Sequence, residues 1–135
     1  MASILIAASP EPGAIVERIL AGHDLTLART VAQATQGLGK QGFDLIICTI
    51  MFDDSRMFDL LRLAKSDREW TRIPFVCVQA RAAILREPIA LEAVGFACRE
   101  LGAAAFLNIT DYQTNPERQM RGAIERFLKN NDQSA

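Results

Sequence analysis

The residues of this chain that can carry chemistry are few, and one stands where a working group belongs. Thr49 closes the run Leu45-Ile46-Ile47-Cys48-Thr49, which continues into Ile50 and Met51. The run lacks the polar/apolar alternation of a strand with one wet face, so it reads as a central strand covered on both sides. The carboxyl end of such a strand is where open α/β sheets place their functional side chains. A threonine hydroxyl there can hydrogen-bond, but its pKa lies far above neutrality and no base is adjacent in sequence to activate it.

The other candidates read as structural. Cys48, Cys77 and Cys98 are odd in number, far apart in sequence and set in apolar contexts without a Cys-x-x-Cys pair, which predicts buried free thiols. His23 is the only histidine and has no cysteine or second histidine near it in sequence, so it gives no basis for a metal site. Gly37 to Gly42 is formally Gly-x-Gly-x-x-Gly, yet it closes a helix and precedes a strand, the reverse of a pyrophosphate-binding turn, and reads as a helix stop. Asp53-Asp54-Ser55 supplies acceptors and negative charge for the first turn of the helix that follows.

These groups sit in a chain of 135 residues, the length of one ordinary domain, which we expect to span 1–135 with a frayed tail over 130–135. Half the residues are hydrophobic, and 15 Lys and Arg nearly cancel 16 Asp and Glu. No global field draws such a chain to nucleic acid or to an anionic membrane. The N-terminus lacks the basic region of a signal peptide and no apolar run approaches a membrane span, so a cytoplasmic location is expected.

Periodicity places the elements. Ser3 to Ala8 is a short apolar strand, and a helix over 12–21 follows it. His23 to Arg29 alternates as an edge strand, and Thr30-Val31-Ala32-Gln33 fits a capping box opening a helix to about Leu38. After the central strand, Met57 to about Lys65 is helical with Phe58, Leu61 and Ala64 inward, and Trp70 lids the core. Ile73 to Val78 is a strand entered through Pro74. Pro88 opens a helix to 101, after a short turn or helix over 82–87. Ala104 to Ile109 is the last strand, and Pro116 opens a final helix to about Lys129 with Met120, Ala123, Ile124, Phe127 and Leu128 inward. Five strands alternating with five helices predict a doubly wound, flavodoxin-like α/β fold, a parallel sheet of order 2-1-3-4-5 with an enlarged fourth-helix region.

At this point the chain resembles the response-regulator receiver (CheY-like) family of two-component signalling over essentially its whole length. Ile4-Leu5-Ile6 is similar to the family's first strand, and Asp44-Leu45-Ile46-Ile47-Cys48-Thr49-Ile50-Met51 to its Asp-Leu-x-x-x-Asp-x-Met strand. Ile73-Pro74-Phe75-Val76 resembles strand four, and Leu101-Gly102-Ala103 with Phe106-Leu107 the Gly-Ala turn and strand five. The resemblance implies a phosphorylation pocket whose positions are all changed here. The acidic pair that holds Mg²⁺ reads Ala8 and Ser9, the phosphoacceptor aspartate is Thr49, the Thr or Ser after strand four is Gln79, and the Lys after strand five is Ile109. Loss of Mg²⁺ binding is therefore expected, since a hard cation needs carboxylates, and Thr49 is expected to bond a neighbouring backbone group in a collapsed pocket packed by Ala8, Gln79 and Ile109.

The family pairs through its fourth helix, fifth strand and fifth helix, where the aromatic switch position is Phe106. The corresponding surface here includes Ile84, Leu85, Arg86, Phe96, Arg99, Tyr112 and Arg118. Three functions follow as expectations. The first is a pseudo-receiver: a phosphorylation-independent interaction module in bacterial signalling, binding another signalling protein or itself, with no cofactor, no nucleic acid and no membrane. The second is a small-ligand sensor using the crevice above Thr49 and Gln79. The third, ranked last, is an enzyme using Cys48 or Cys77.

Overall fold

The computed structural model describes residues 1–81 and 87–133. Five strands form one sheet, β1 (Ser3–Ala7), β2 (Asp24–Ala28), β3 (Leu45–Thr49), β4 (Phe75–Gln79) and β5 (Ala105–Asn108), in the order β2-β1-β3-β4-β5. Every pairing is parallel. The helices α1 (Pro10–Ile19), α2 (Val31–Lys40), α3 (Met57–Ser66) and α4 (Pro88–Glu100) connect them in turn, and α5 (Pro116–Gln133) follows the last strand. This is the doubly wound flavodoxin-like order expected from the alternation of elements.

The continuous apolar strands explain the layering. β3 and β4 are buried at every position, and successive residues feed opposite cores. Leu5, Ile46, Cys48, Phe75 and Cys77 pack with Ala34 and Leu38 of α2, Leu60 and Leu61 of α3 and Cys98 of α4. Ile4, Ile6, Leu45, Ile47, Val76 and Val78 pack with Val16 and Ile19 of α1 and with Met120, Ile124 and Leu128 of α5. Each fully buried Leu, Ile, Val, Phe or Met among them contributes about 1.5–3 kcal/mol. A one-residue slip of either strand would exchange the two cores, so the register is tightly specified.

Several boundaries differ from the sequence expectation. α1 starts at Pro10 because Pro10 and Pro12 both fall in its first turn, where the backbone N–H groups have no intrahelical partner to lose. α2 runs to Lys40, so Gly37 and Gly39 lie inside the helix and only Gly42 falls in the turn. Gly37 faces Leu5 and Phe43, which a Cβ would approach at 3.8 and 4.0 Å. α5 continues past Lys129 to Gln133. Gly102 ends the α4 region with φ +105°, and a Cβ there would lie 3.0 Å from Lys65 Cγ. The expected turn or helix over 82–87 falls, except for Glu87, outside the described residues.

The largest departure follows β3. Met51, Asp53, Asp54 and Ser55 all have positive φ, between 47° and 68°, without a glycine among them. Left-handed backbone costs roughly 1–2 kcal/mol per such residue, so the turn must be held from outside. Phe52 is fully buried and anchors it, and its carbonyl accepts Arg56 N–H at 2.7 Å. The expected capping of α3 by Asp53 and Asp54 is thereby overturned. The residue preceding α3 is Arg56, and no side chain caps that helix.

Candidate functional site

The carboxyl ends of β1, β3, β4 and β5 converge on one edge of the sheet, bringing together the five pocket positions singled out by sequence, Ala8, Ser9, Thr49, Gln79 and Ile109. Ala7 is level with Cys48, Thr49 with Val78 and Gln79 with Asn108, so Ala8, Thr49, Gln79 and Asn108 cap successive strands. Ala8 and Gln79 are fully buried, and Ser9 and Ile109 lie partly buried at the rim. Ile109 packs on the same apolar cluster as Ala8.

Thr49 contradicts the expectation of a hydrogen-bonded hydroxyl. Its side chain is 1% exposed, and among the described residues its Oγ1 has no hydrogen-bond partner. The physical reason lies in its neighbours: Ala8 and Ala80 offer no polar side-chain atom, and the nearby backbone is committed to the sheet, with Ile50 N–H donating to Val78 O at 3.1 Å. An unmade hydrogen bond of this kind costs about 1–3 kcal/mol.

Gln79 and Asn108 are instead joined. Gln79 Nε2 donates to Asn108 Oδ1 at 3.0 Å, and the same oxygen accepts Thr110 N–H at 3.2 Å. Sequence reading missed Asn108, although a buried amide one residue before Ile109 is itself the signal: such a group is retained only where it finds a partner.

Two cations frame this edge. Arg29, just beyond β2, donates from Nη1 to Ala8 O at 3.3 Å, and Gly13 makes room for it, since a Cβ there would lie 2.9 Å from the guanidinium nitrogen. Arg81, after β4, forms an ion pair with Glu11 in the first turn of α1. Because β3 lies between β1 and β4, this pair spans the end of the strand that carries Thr49. Asp53 is one of two acidic residues in the neighbouring turn, and its Oδ2 accepts Val31 N–H at 2.9 Å and lies 3.6 Å from Arg56 Nη1.

A Mg²⁺ site of the kind the resemblance implies does not fit these residues. Ala8, Ser9 and Thr49 bring no carboxylate, and a guanidinium already donates to the Ala8 carbonyl, where a cation would be repelled. Among the described residues no group of three or more His, Cys, Asp or Glu is placed to hold a metal ion.

The remaining candidates fall elsewhere. On α4, Ile89 and Phe96 are 79% and 62% exposed and Arg99 is exposed with them. Phe106 packs partly buried against the core, and Tyr112 is partly buried, its phenol pushed above the usual range chiefly by burial. Arg118 is exposed at the start of α5. Ile84, Leu85 and Arg86 lie outside the described residues. An apolar cleft of about 180 Å³ lies between the turn after β3 and α4, lined by Ile50, Met51, Ser55, Met57, Phe58 and Val94. His23 sits at the opposite end of the sheet, where Nδ1 accepts Ala2 N–H at 3.2 Å and Nε2–H donates to Glu125 at 2.8 Å. No helix among the described residues is long and apolar enough to cross a membrane.

No protein-family model matches the chain, and no curated protein sequence matches it. Solved structures do. The CheY-like response regulator receiver domain protein from Methanospirillum hungatei JF-1 is 21% identical with a TM-score of 0.71, covering 100% of this chain and 99% of that one. The signal receiver domain of a histidine kinase from Syntrophus aciditrophicus is 21% identical with a TM-score of 0.72, covering 96% and 92%. The receiver domain of a sensor histidine kinase from Pseudomonas aeruginosa PAO1, solved with a magnesium ion in its active-site cleft, is 16% identical with a TM-score of 0.70, covering 95% and 98%. The chain thus has the fold of response-regulator receiver domains, over its full length and in the strand order of that class. At these identities the likeness is one of fold.

Proposed function

We propose that this chain is a pseudo-receiver, a phosphorylation-independent interaction module of bacterial two-component-type signalling that works in the cytoplasm and pairs with a second copy of itself through α4, β5 and α5. The observation that carries this reading is the replacement of the acidic pocket by Ala8, Ser9, the unpartnered Thr49 and the Gln79–Asn108 amide pair, with Arg29 bonded to the Ala8 carbonyl. A pocket so built has no carboxylate to accept phosphate and none to hold Mg²⁺. What is left for function is surface, and α4 offers the apolar face. Ile89, Ala93 and Phe96 are exposed at helical spacing, beside Glu92, Arg99 and Glu100. A face that carries both charge signs around an apolar centre can be complementary to its own copy about a two-fold axis. Nothing in this role requires catalysis.

Sedimentation velocity on the full chain and on the Ile89→Asp/Phe96→Asp double variant tests the reading. A dimer in the wild type that the double variant loses, while keeping its circular dichroism spectrum, is the expected result. A wild type and a variant that sediment identically would count against it.

A second reading, a small-ligand sensor using the crevice above Thr49 and Gln79, is favoured by one observation: the buried Thr49 hydroxyl lacks a partner among the described residues. A neutral ligand with a hydrogen-bond acceptor would answer it. A thermal-shift screen with uncharged metabolites on wild type and Thr49→Val separates the two readings. A hit that the variant abolishes supports the sensor.

A further inference from the structure

The three cysteines, far apart in sequence, meet in one place. Cys48 and Cys77 are direct neighbours across β3 and β4, and both pack in the same buried cluster as Cys98 of α4. All three are free and fully buried. The Cys98 thiol is a close neighbour of the Cys77 thiol, whereas Cys48 Sγ directs its hydrogen bond to the carbonyl of Thr49 at 3.7 Å. Gly95, one turn before Cys98 on the same helix face, is buried beside Phe106 of β5, which pairs with Cys77, so this stretch of α4 lies over the strands that carry the other thiols.

The geometry points to an oxidation site: we propose that Cys77 and Cys98 form an intramolecular disulfide when the protein meets a hydroperoxide, fixing α4 to β4. The steps balance. One thiol, as its thiolate, attacks the O–O bond of the peroxide, giving a sulfenic acid and releasing water or the alcohol. The second thiol displaces the sulfenic oxygen as water, so the two sulfurs give up two electrons and two protons while the peroxide is reduced by two electrons. Cys98 is the natural first nucleophile. The contact with Cys77 and the nearby Arg99 favour its thiolate, while that same contact and burial push the Cys77 thiol up, and burial does so for Cys48.

Burial does not bar the reaction, because α4 is the helix held least firmly. Of its thirteen residues only Gly95 and Cys98 are buried, against four buried residues in each of the ten-residue helices α1 and α3. Local opening of such an element costs far less than global unfolding. The disulfide would pin the helix that carries Ile89 and Phe96, although the pairing itself is independent of what binds that face.

The test is exposure of the reduced full chain to hydrogen peroxide, followed by alkylation in denaturant, proteolysis and mass spectrometry. The expected result is a dithiothreitol-reversible crosslink between the Cys77 and Cys98 peptides, with Cys48 still alkylated, and the same crosslink in the Cys48→Ala variant. Three alkylated cysteines, a crosslink that includes Cys48, a crosslink between chains, or single-thiol oxidation without a crosslink would each overturn the proposal.

Discussion

Asp53 Oδ2 accepts the backbone N–H of Val31 at 2.9 Å, so the carboxylate after β3 caps the helix after β2 rather than its own. Thr30 Oγ1 takes the Gln33 N–H of the same first turn at 3.1 Å, and Gln33 Oε1 takes Arg29 N–H at 2.8 Å. The α2 N-terminus is therefore satisfied by two side chains from different parts of the chain, and the left-handed turn is tied down by one of them. Asp53→Ala removes a charged cap and a tether together. It is expected to lower stability by about 1–2 kcal/mol, measured by urea denaturation, with Asp54→Ala near neutral. Equal effects of the two substitutions would contradict this assignment.

Thr49→Val keeps the shape of the side chain and deletes a buried hydroxyl that has no partner. Because an unsatisfied buried polar group is a net penalty, the variant is expected to be more stable by roughly 1 kcal/mol, read as a rise in the urea midpoint. A loss of stability would mean that the hydroxyl is hydrogen-bonded in solution.

Asn108 receives two donors, from Gln79 Nε2 and Thr110 N–H. Asn108→Ala removes the shared acceptor and opens a small cavity at the end of β5. A cost of about 2–3 kcal/mol is expected in the same denaturation experiment, larger than that of a rim substitution such as Ser9→Ala.

Glu125 connects the ends of the chain, accepting from His23 Nε2 and pairing with Arg121 at 3.2 Å. Its carboxyl is held below the ordinary value of 4.5, first by the hydrogen bond from His23 and then by the charge of Arg121, against an opposing effect of burial. A depressed folded-state pKa stabilises the fold above the unfolded pKa, and that contribution is lost as pH falls through the lowered value. Glu125→Gln is therefore expected to be less stable than wild type near neutral pH and to converge with it in acid below the carboxylate range. A difference that grows on acidification would contradict the sign.

The sheet was legible because its signals are local and strong. The unbroken apolar runs at Leu45–Thr49 and Phe75–Gln79 announce central strands, Thr30 and Gln33 announce a helix start, and Pro88 and Gly102 bracket α4. What was not legible joins residues that are distant in sequence. Asp53 reaches a backbone group 22 positions away, and Gln79 reaches Asn108 across 29. The three thiols converge only once the strand order and the side of α4 are known. The left-handed turn at Asp53 to Ser55 carries no glycine to mark it, since it is imposed by burial of Phe52 and not by local preference. Ile89 is not among the surface residues expected from sequence, because the phase of its helix is fixed only by the burial of Gly95 and Cys98.

The central claim is that association is indifferent to phosphoryl donors because the pocket can neither hold Mg²⁺ nor accept phosphate. Sedimentation velocity with and without acetyl phosphate and millimolar Mg²⁺, with intact mass read on the same samples, tests it most directly. The account predicts the same dimer population in both conditions and no phosphoryl adduct. A dimer that forms or dissolves only with acetyl phosphate and Mg²⁺, or a phosphoryl adduct on the chain, would contradict it.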